Sequence, residues 1–154
     1  MEFLSYLHPR IVHFPIAIFV VYFLFEAFAA FLKKDFLNKS AYILLALGVI
    51  FSVAAVLTGN QAQELLKEKF PSTYKTISSL IQKHNNYATL TLWYFLSLMI
   101  FRTYLVLKKK FLGWTKYLVV FLALLGVLFI ILTALYGGDL VYYYGAGTSR
   151  FGTI

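Results

Sequence analysis

The chain has 154 residues, 61% of them hydrophobic and 13% charged, with a formal net charge of +8 and no cysteine. A soluble domain of this size is nearer half apolar, so the composition is that of a membrane protein. The missing cysteine excludes disulfides, thiolate metal sites, iron–sulfur clusters and covalent c-type haem attachment.

A helix needs about 20 consecutive apolar residues to cross the hydrocarbon. Four stretches qualify, at about 11–32, 41–58, 88–107 and 117–136. They predict an all-α integral membrane four-helix bundle forming one domain over 1–154. The leading "MEFLSYL" lacks a basic region and the apolar core that follows is long, so the first stretch reads as a span and not as a cleaved signal. Pro9 suits a first helical turn, whereas Pro15 removes the bond to the Ile11 carbonyl and predicts a bend near His13. Span two carries Gly48, Ala54, Ala55 and Gly59, small residues that let helices approach closely. In the polar connection that follows, Tyr74, Ile77 and Ile81 recur at helical spacing, which predicts a short amphipathic surface helix over 72–84. Gly137 and Gly138 are expected to stop the fourth helix, and no internal repeat stands out.

The charge is unevenly placed. Lys33, Lys34 and Lys39 lie in one loop, and Lys108, Lys109, Lys110 and Lys116 in another, with both loops on one side of a four-span topology. The other side dilutes Arg10, Lys67, Lys69, Lys75, Lys83 and Arg150 with Glu2, Glu64, Glu68 and Asp139. The positive-inside rule then puts both termini on the outer, periplasmic side and the basic loops against anionic headgroups. The expected location is a bacterial inner membrane. Nucleic acid is not expected as a partner, since the basic residues belong to membrane loops.

The chain's three histidines, His8, His13 and His84, all fall at the outer ends of spans one and three, which run parallel. Glu26 and Arg102 are charges inside the same two spans, and such groups usually face the bundle and find a partner. Glu26 follows His8 by 18 residues and Arg102 follows His84 by 18, five turns at about 3.6 residues each. A Glu26–Arg102 pair would therefore bring His8 opposite His84. His13 would point about 140° away in a straight helix, but the Pro15 bend leaves it open as the partner of His84. The competing arrangement has Arg102 snorkelling to the headgroups and Glu26 hydrogen-bonded in its neutral form.

Histidines from two parallel helices suit haem b, which accepts a neutral imidazole on each face of its iron and fits between bundle helices. Phe14, Phe19, Tyr87 and Trp93 would supply apolar walls, and Lys83, Lys75 or Arg10 the propionate partners. Zinc or copper is the alternative, as imidazole suits both. Ordinary interfacial histidines holding no cofactor are the third reading.

"HPRIVHFPIA", "LTGNQ", "KHNNYAT" and "GGDLVYYYG" occur in this order along the chain. The pattern resembles a family of small bacterial four-helix membrane proteins known as a domain of unknown function. The resemblance singles out His8, His13 and His84 and implies a b-type haem role. Members commonly carry a histidine before the glycine of the closing stretch, where this chain has Tyr144 before Gly145. One haem is then the most these residues support, with Tyr144 a weak further ligand or hydrogen-bond donor. The function expected is an electron-transfer subunit rather than a stand-alone enzyme. It would pass electrons near the outer face between a quinol pool and a redox partner such as a cytochrome, inside a larger respiratory complex. A non-redox accessory subunit that packs against partner helices is the rival.

Overall fold

The computed structural model describes residues 2–146 and Thr148, with side chains from residue 7 onward, so Arg150 and the Glu2 side chain lie outside the described residues. Five helices follow in order: α1 Glu2–Ile11, α2 His13–Leu32, α3 Asp35–Lys69, α4 Pro71–Leu107 and α5 Trp114–Tyr142. Four segments are long and apolar enough to cross a membrane, Leu7–Leu32 (α1 and α2 together) and the whole of α3, α4 and α5. Their outward faces carry Phe28, Ile50, Trp93, Ile100 and Phe121, all exposed, as expected where lipid tails cover the apolar surface. One end of the bundle holds the histidines and the other the lysine loops.

Chain neighbours pack side by side, and α5 closes the bundle against α2. That leaves α2 and α4 facing one another diagonally across the centre. Their side chains meet in layers. His8 and His84 lie at one end, with ring centroids 6.4 Å apart. Phe19 stacks on Phe95 at 3.6 Å in the middle, and Tyr22 meets Phe95 edge-on at 6.4 Å. Arg102 Nε donates to Glu26 Oε2 at 2.9 Å toward the lysine end. The His, Phe and Glu–Arg pairs share one separation in sequence, 76 residues.

This constant offset reveals an internal repeat that inspection of the chain alone misses. The second helix of each half repeats at 78 residues: Ala41 with Val119 and Leu45 with Ala123, all fully buried, then Gly48 with Gly126 and Gly59 with Gly137. The short runs "LGVIF" at 47–51 and "LGVLF" at 125–129 are its sequence trace. Even the turns correspond, since Lys33 and Lys109 take left-handed φ values of 53° and 54°. The halves α1–α3 and α4–α5 are parallel copies of one helical hairpin, a repeat whose axis runs along the membrane normal.

Several local expectations change. The connection after span two is not a separate surface helix over 72–84. It consists of extensions of α3 and α4 meeting at Phe70, the single residue between them. At 35 residues α3 is about 52 Å long, well beyond a hydrocarbon core of about 30 Å. Pro71 opens α4 at the position where proline costs no hydrogen bond, and no further proline interrupts the helix before Leu107. Ile77 and Ile81 are buried with Leu140 of α5 and packed by Leu66 and Tyr74, so their apolar stripe is covered by neighbouring helices instead of a lipid surface. Gly137 and Gly138 do not end α5, which continues to Tyr142. The helix break near Pro15 falls at Val12, between α1 and α2.

The charged layer is closed by hydrogen bonds. A second Arg102 nitrogen donates to the Asn38 backbone oxygen at 3.1 Å and to Asn38 Oδ1 at 2.8 Å. Tyr42 and Phe111 present ring faces to the guanidinium, with centroids 5.2 and 4.8 Å away. A cavity of about 10 Å³ between Glu26 and Lys116 is the size of one water. Lys116 occupies the repeat position of Asn38, just as Glu26 occupies that of Arg102.

Two predictions follow from these layers. A Cβ at Gly48 or at Gly126 would overlap the Phe19 or Phe95 ring, so Gly48→Val and Gly126→Val should each cost about 1–3 kcal/mol, read as a lower thermal midpoint in detergent. Glu26→Arg should destabilise by about 3–5 kcal/mol, the usual result of stranding a buried charge. Adding Arg102→Glu should restore part of that loss, and adding Lys116→Asn more, because the repeat then supplies the arginine with the asparagine that Arg102 has. Equal midpoints for the single, double and triple variants would show that the layer's geometry is incidental.

Candidate functional site

The histidine end is built from both copies of the hairpin, and each imidazole is held in the same way. His8 Nδ1 lies 3.1 Å from the Ala55 carbonyl oxygen, and His84 Nδ1 lies 3.1 Å from that of Thr133. A carbonyl only accepts, so each Nδ1 carries the proton and each Nε2 keeps a lone pair. Thr58 Oγ1 stands 3.2 Å from His8 Nδ1 and donates to Ala54 and Ala55 carbonyls. Among the described residues no hydrogen-bond partner meets either Nε2.

One turn beyond each carbonyl stands a glycine. A Cβ at Gly59 would lie 2.9 Å from His8 Cε1, and one at Gly137 would lie 3.0 Å from His84 Cε1. Both glycines therefore make room for an imidazole, which is why α5 tolerates Gly137 in mid-helix despite its usual cost of about 1 kcal/mol. Ala55 and Gly59 on α3 match Thr133 and Gly137 on α5 at the repeat offset.

The layers around the rings are polar. Thr91 and Thr133 hydroxyls meet at 3.1 Å, and Tyr87 stacks on Tyr136 at 5.1 Å. Asn85 Nδ2 donates to Gln63 Oε1, and Gln63 Nε2 donates to the Tyr74 hydroxyl at 3.1 Å. Gln61 Oε1, two residues past Gly59, is a buried acceptor with no partner among the described residues. Such an orphaned acceptor costs about 1–3 kcal/mol unless water or a bound group meets it.

Of the residues singled out in the sequence, the fold brings His8 and His84 together and separates the others from them. His13 is exposed at the start of α2, one helical break away from His8. Tyr144 lies 37% exposed in the turn after α5, with no hydrogen bond or ring stacking to either imidazole among the described residues. Phe14 and Trp93 face outward, 51% and 60% exposed, with Phe14 stacked on Phe51 rather than lining the site. Phe19 does lie on the same diagonal seam, stacked on Phe95. Glu26 and Arg102 form the charged layer at the far end of that seam, apart from the histidines. The residues whose part here sequence reading misses are Ala55 and Thr133, whose carbonyls accept from the imidazoles, the two glycines, and Gln61, Gln63 and Asn85. The matching 11-residue spacings Gly48–Gly59 and Gly126–Gly137 are the signal that points to the first four.

Two imidazoles with fixed tautomers and unengaged Nε2 atoms have the donor chemistry that a metal takes from a pair of ligands. A first-row metal bound at about 2 Å by one nitrogen of each ring would set the ring centres about 6 Å apart, close to the 6.4 Å found here. Among the described residues there is no group of three or more metal-ligating side chains. Two protein ligands complete the coordination of a metal that brings its own equatorial donors, as haem iron does. The donor set suits such a group, with two imidazoles side by side and a glycine making room for each ring.

No curated protein and no solved structure gives a match. Residues 5–150 match the family described as "Predicted membrane protein (DUF2231)". With the match covering nearly all of the chain, this protein belongs to that family of membrane proteins.

Proposed function

We propose that the protein is a membrane-embedded b-type haem protein in which His8 and His84 would hold the haem iron. The observation that carries this reading is the pair of imidazoles at 6.4 Å, each with Nδ1 on a backbone carbonyl. Backbone hydrogen bonds of this kind fix the tautomer and ring orientation of metal-bound histidines. Haem supplies a one-electron iron couple when bound. The chain's own part is to hold both ring nitrogens in place, exclude a third protein ligand and surround the pair with Gly59, Gly137 and the Thr91–Thr133 hydroxyls.

Two imidazole ligands leave no open iron position, which favours electron transfer over oxygen chemistry. The lysine excess at the opposite end supports a bacterial inner-membrane orientation with the histidines toward the periplasm. In that setting the protein would relay electrons between a quinol pool and a redox partner at the outer face, as a subunit of a larger assembly. His13 and Tyr144 are not ligands in this reading, and neither zinc nor copper is needed.

The expected outcome is a protein purified from a haem-sufficient host that shows a Soret band and carries about one iron per chain, as haem with two axial ligands requires. His8→Ala and His84→Ala should each abolish the low-spin spectrum, while His13→Ala and Tyr144→Phe leave it unchanged. Gly137→Val should lower haem content by displacing the His84 ring. A colourless protein with full haem supply would falsify the proposal, and stoichiometric copper or zinc in its place would keep the histidine pair but replace its metal.

A further inference from the structure

The lysine end departs from the repeat at a further place beyond its charged layer. Between α3 and α4 lies an open groove of about 460 Å³, lined by Asn38, Tyr42, Ile43, Thr103, Val106 and Leu107, with Lys39 at its rim and Arg102 at its floor. Ile43 and Leu107 are 59% and 76% exposed, so the groove opens toward the lipid. At the corresponding place between α5 and α2, Ile43 is replaced by Phe121 and Lys39 by Tyr117. There the Tyr117 ring packs on Phe31 at 5.8 Å. Aromatic rings thus stand at 117 and 121 where Lys39 and Ile43 stand beside the groove.

We propose that the α3–α4 groove binds an anionic phospholipid, with an acyl chain along Ile43 and Val106 and its phosphate at the lysine rim. The walls are apolar and continuous with the lipid-facing surface, which suits a hydrocarbon chain. The headgroup end is strongly cationic: Lys33, Lys34, Lys39, Lys108, Lys109, Lys110 and Lys116 stand against a single acid, Asp35. Asp35 is engaged with Lys39 at 2.8 Å, and Arg102 is neutralised by Glu26, so the uncompensated charge sits in the lysines beside Leu107. Each basic residue near an anionic surface adds to the attraction for it. Asn38 Oδ1 accepts from Arg102, which leaves its amide nitrogen free to donate to an ester or phosphate oxygen. The Tyr42 and Thr103 hydroxyls satisfy each other at 2.7 Å, so the groove wall presents no unpaired hydroxyl to the chain. A zwitterionic lipid fits the apolar walls equally well but gains little from the lysines, so the groove selects on headgroup charge. This binding is independent of haem.

Native mass spectrometry of the detergent-purified protein tests it, with phosphatidylglycerol and phosphatidylcholine of matched chains added separately. The wild-type protein should retain phosphatidylglycerol at several-fold higher occupancy than phosphatidylcholine. Val106→Trp and Ile43→Trp, both lipid-facing and expected to leave the thermal midpoint unchanged, should abolish that preference by filling the groove. Phe121→Trp, at the repeat position of Ile43, should retain it. Lys108→Gln with Lys109→Gln should reduce phosphatidylglycerol to the phosphatidylcholine level without changing phosphatidylcholine. Equal retention of the two lipids by the wild type overturns the headgroup assignment. Undiminished phosphatidylglycerol preference in both tryptophan variants overturns the groove.

Discussion

The register of this bundle depends on a charge that has only one place to go. Arg102 is fully buried, and its guanidinium cannot lose its proton to escape the cost of leaving water. It is satisfied by Glu26 across the bundle, by two Asn38 oxygens from the turn into α3, and by the faces of Tyr42 and Phe111. Sliding α4 by a single residue along α2 would turn Arg102 by about 100° and break all of these together. A buried ion pair is weak evidence for stability, since its desolvation offsets much of its attraction. Its effect here is on specificity: lipid-facing leucines and phenylalanines pack in many registers, and this layer accepts one.

The other layers inherit that register through the repeat. Glu26 and Arg102 lie at equivalent positions of the two hairpin copies, as do Phe19 and Phe95, and His8 and His84. Residues that approach the axis of a two-fold repeat meet their own counterparts, so like faces like unless the copies have diverged. Phenylalanine on phenylalanine is favourable, and the small Gly48 and Gly126 behind the rings let the stack close to 3.6 Å. Two carboxylates or two guanidiniums at the charged layer would repel inside the bundle. There the copies differ, and the opposite charges satisfy each other. At the histidine end the copies are the same, and two identical imidazoles are brought together with matched hydrogen bonds to the helix behind each. A repeated hairpin brings two identical imidazoles to one place directly.

The lysine end carries a marked asymmetry. The link between α4 and α5 is longer than that between α2 and α3, which places Phe111 over Arg102 and Lys116 beside Glu26. That difference lets one member of the pair be arginine, with asparagine as its neighbour, and the other be glutamate, with lysine as its neighbour. At the same end an open groove lies between α3 and α4, and at the corresponding place between α5 and α2 the Tyr117 ring packs on Phe31.

The four spans, the uneven lysines and the two intramembrane charges were legible in the chain because each is a local property: a run of apolar residues, a loop composition, a residue type that lipid excludes. The 18-residue offset also carried the correct helical phase from Glu26 to His8 and from Arg102 to His84, since both intervals are whole numbers of turns. Which histidine faces His84 was not legible. Pro15 made the phase of His13 ambiguous, and only the packing of α1 against α3, with its carbonyl at Ala55 and its gap at Gly59, seats His8 and leaves His13 in the open. The stretch over 72–84 shows the same limit, because an amphipathic stripe states that a face must be buried and not what buries it. Here long extensions of α3 and α5 cover it before any lipid does. Hydropathy belongs to single residues and determined how often the chain crosses the membrane; the pairing of faces belongs to several helices at once, and only the tertiary structure decided it.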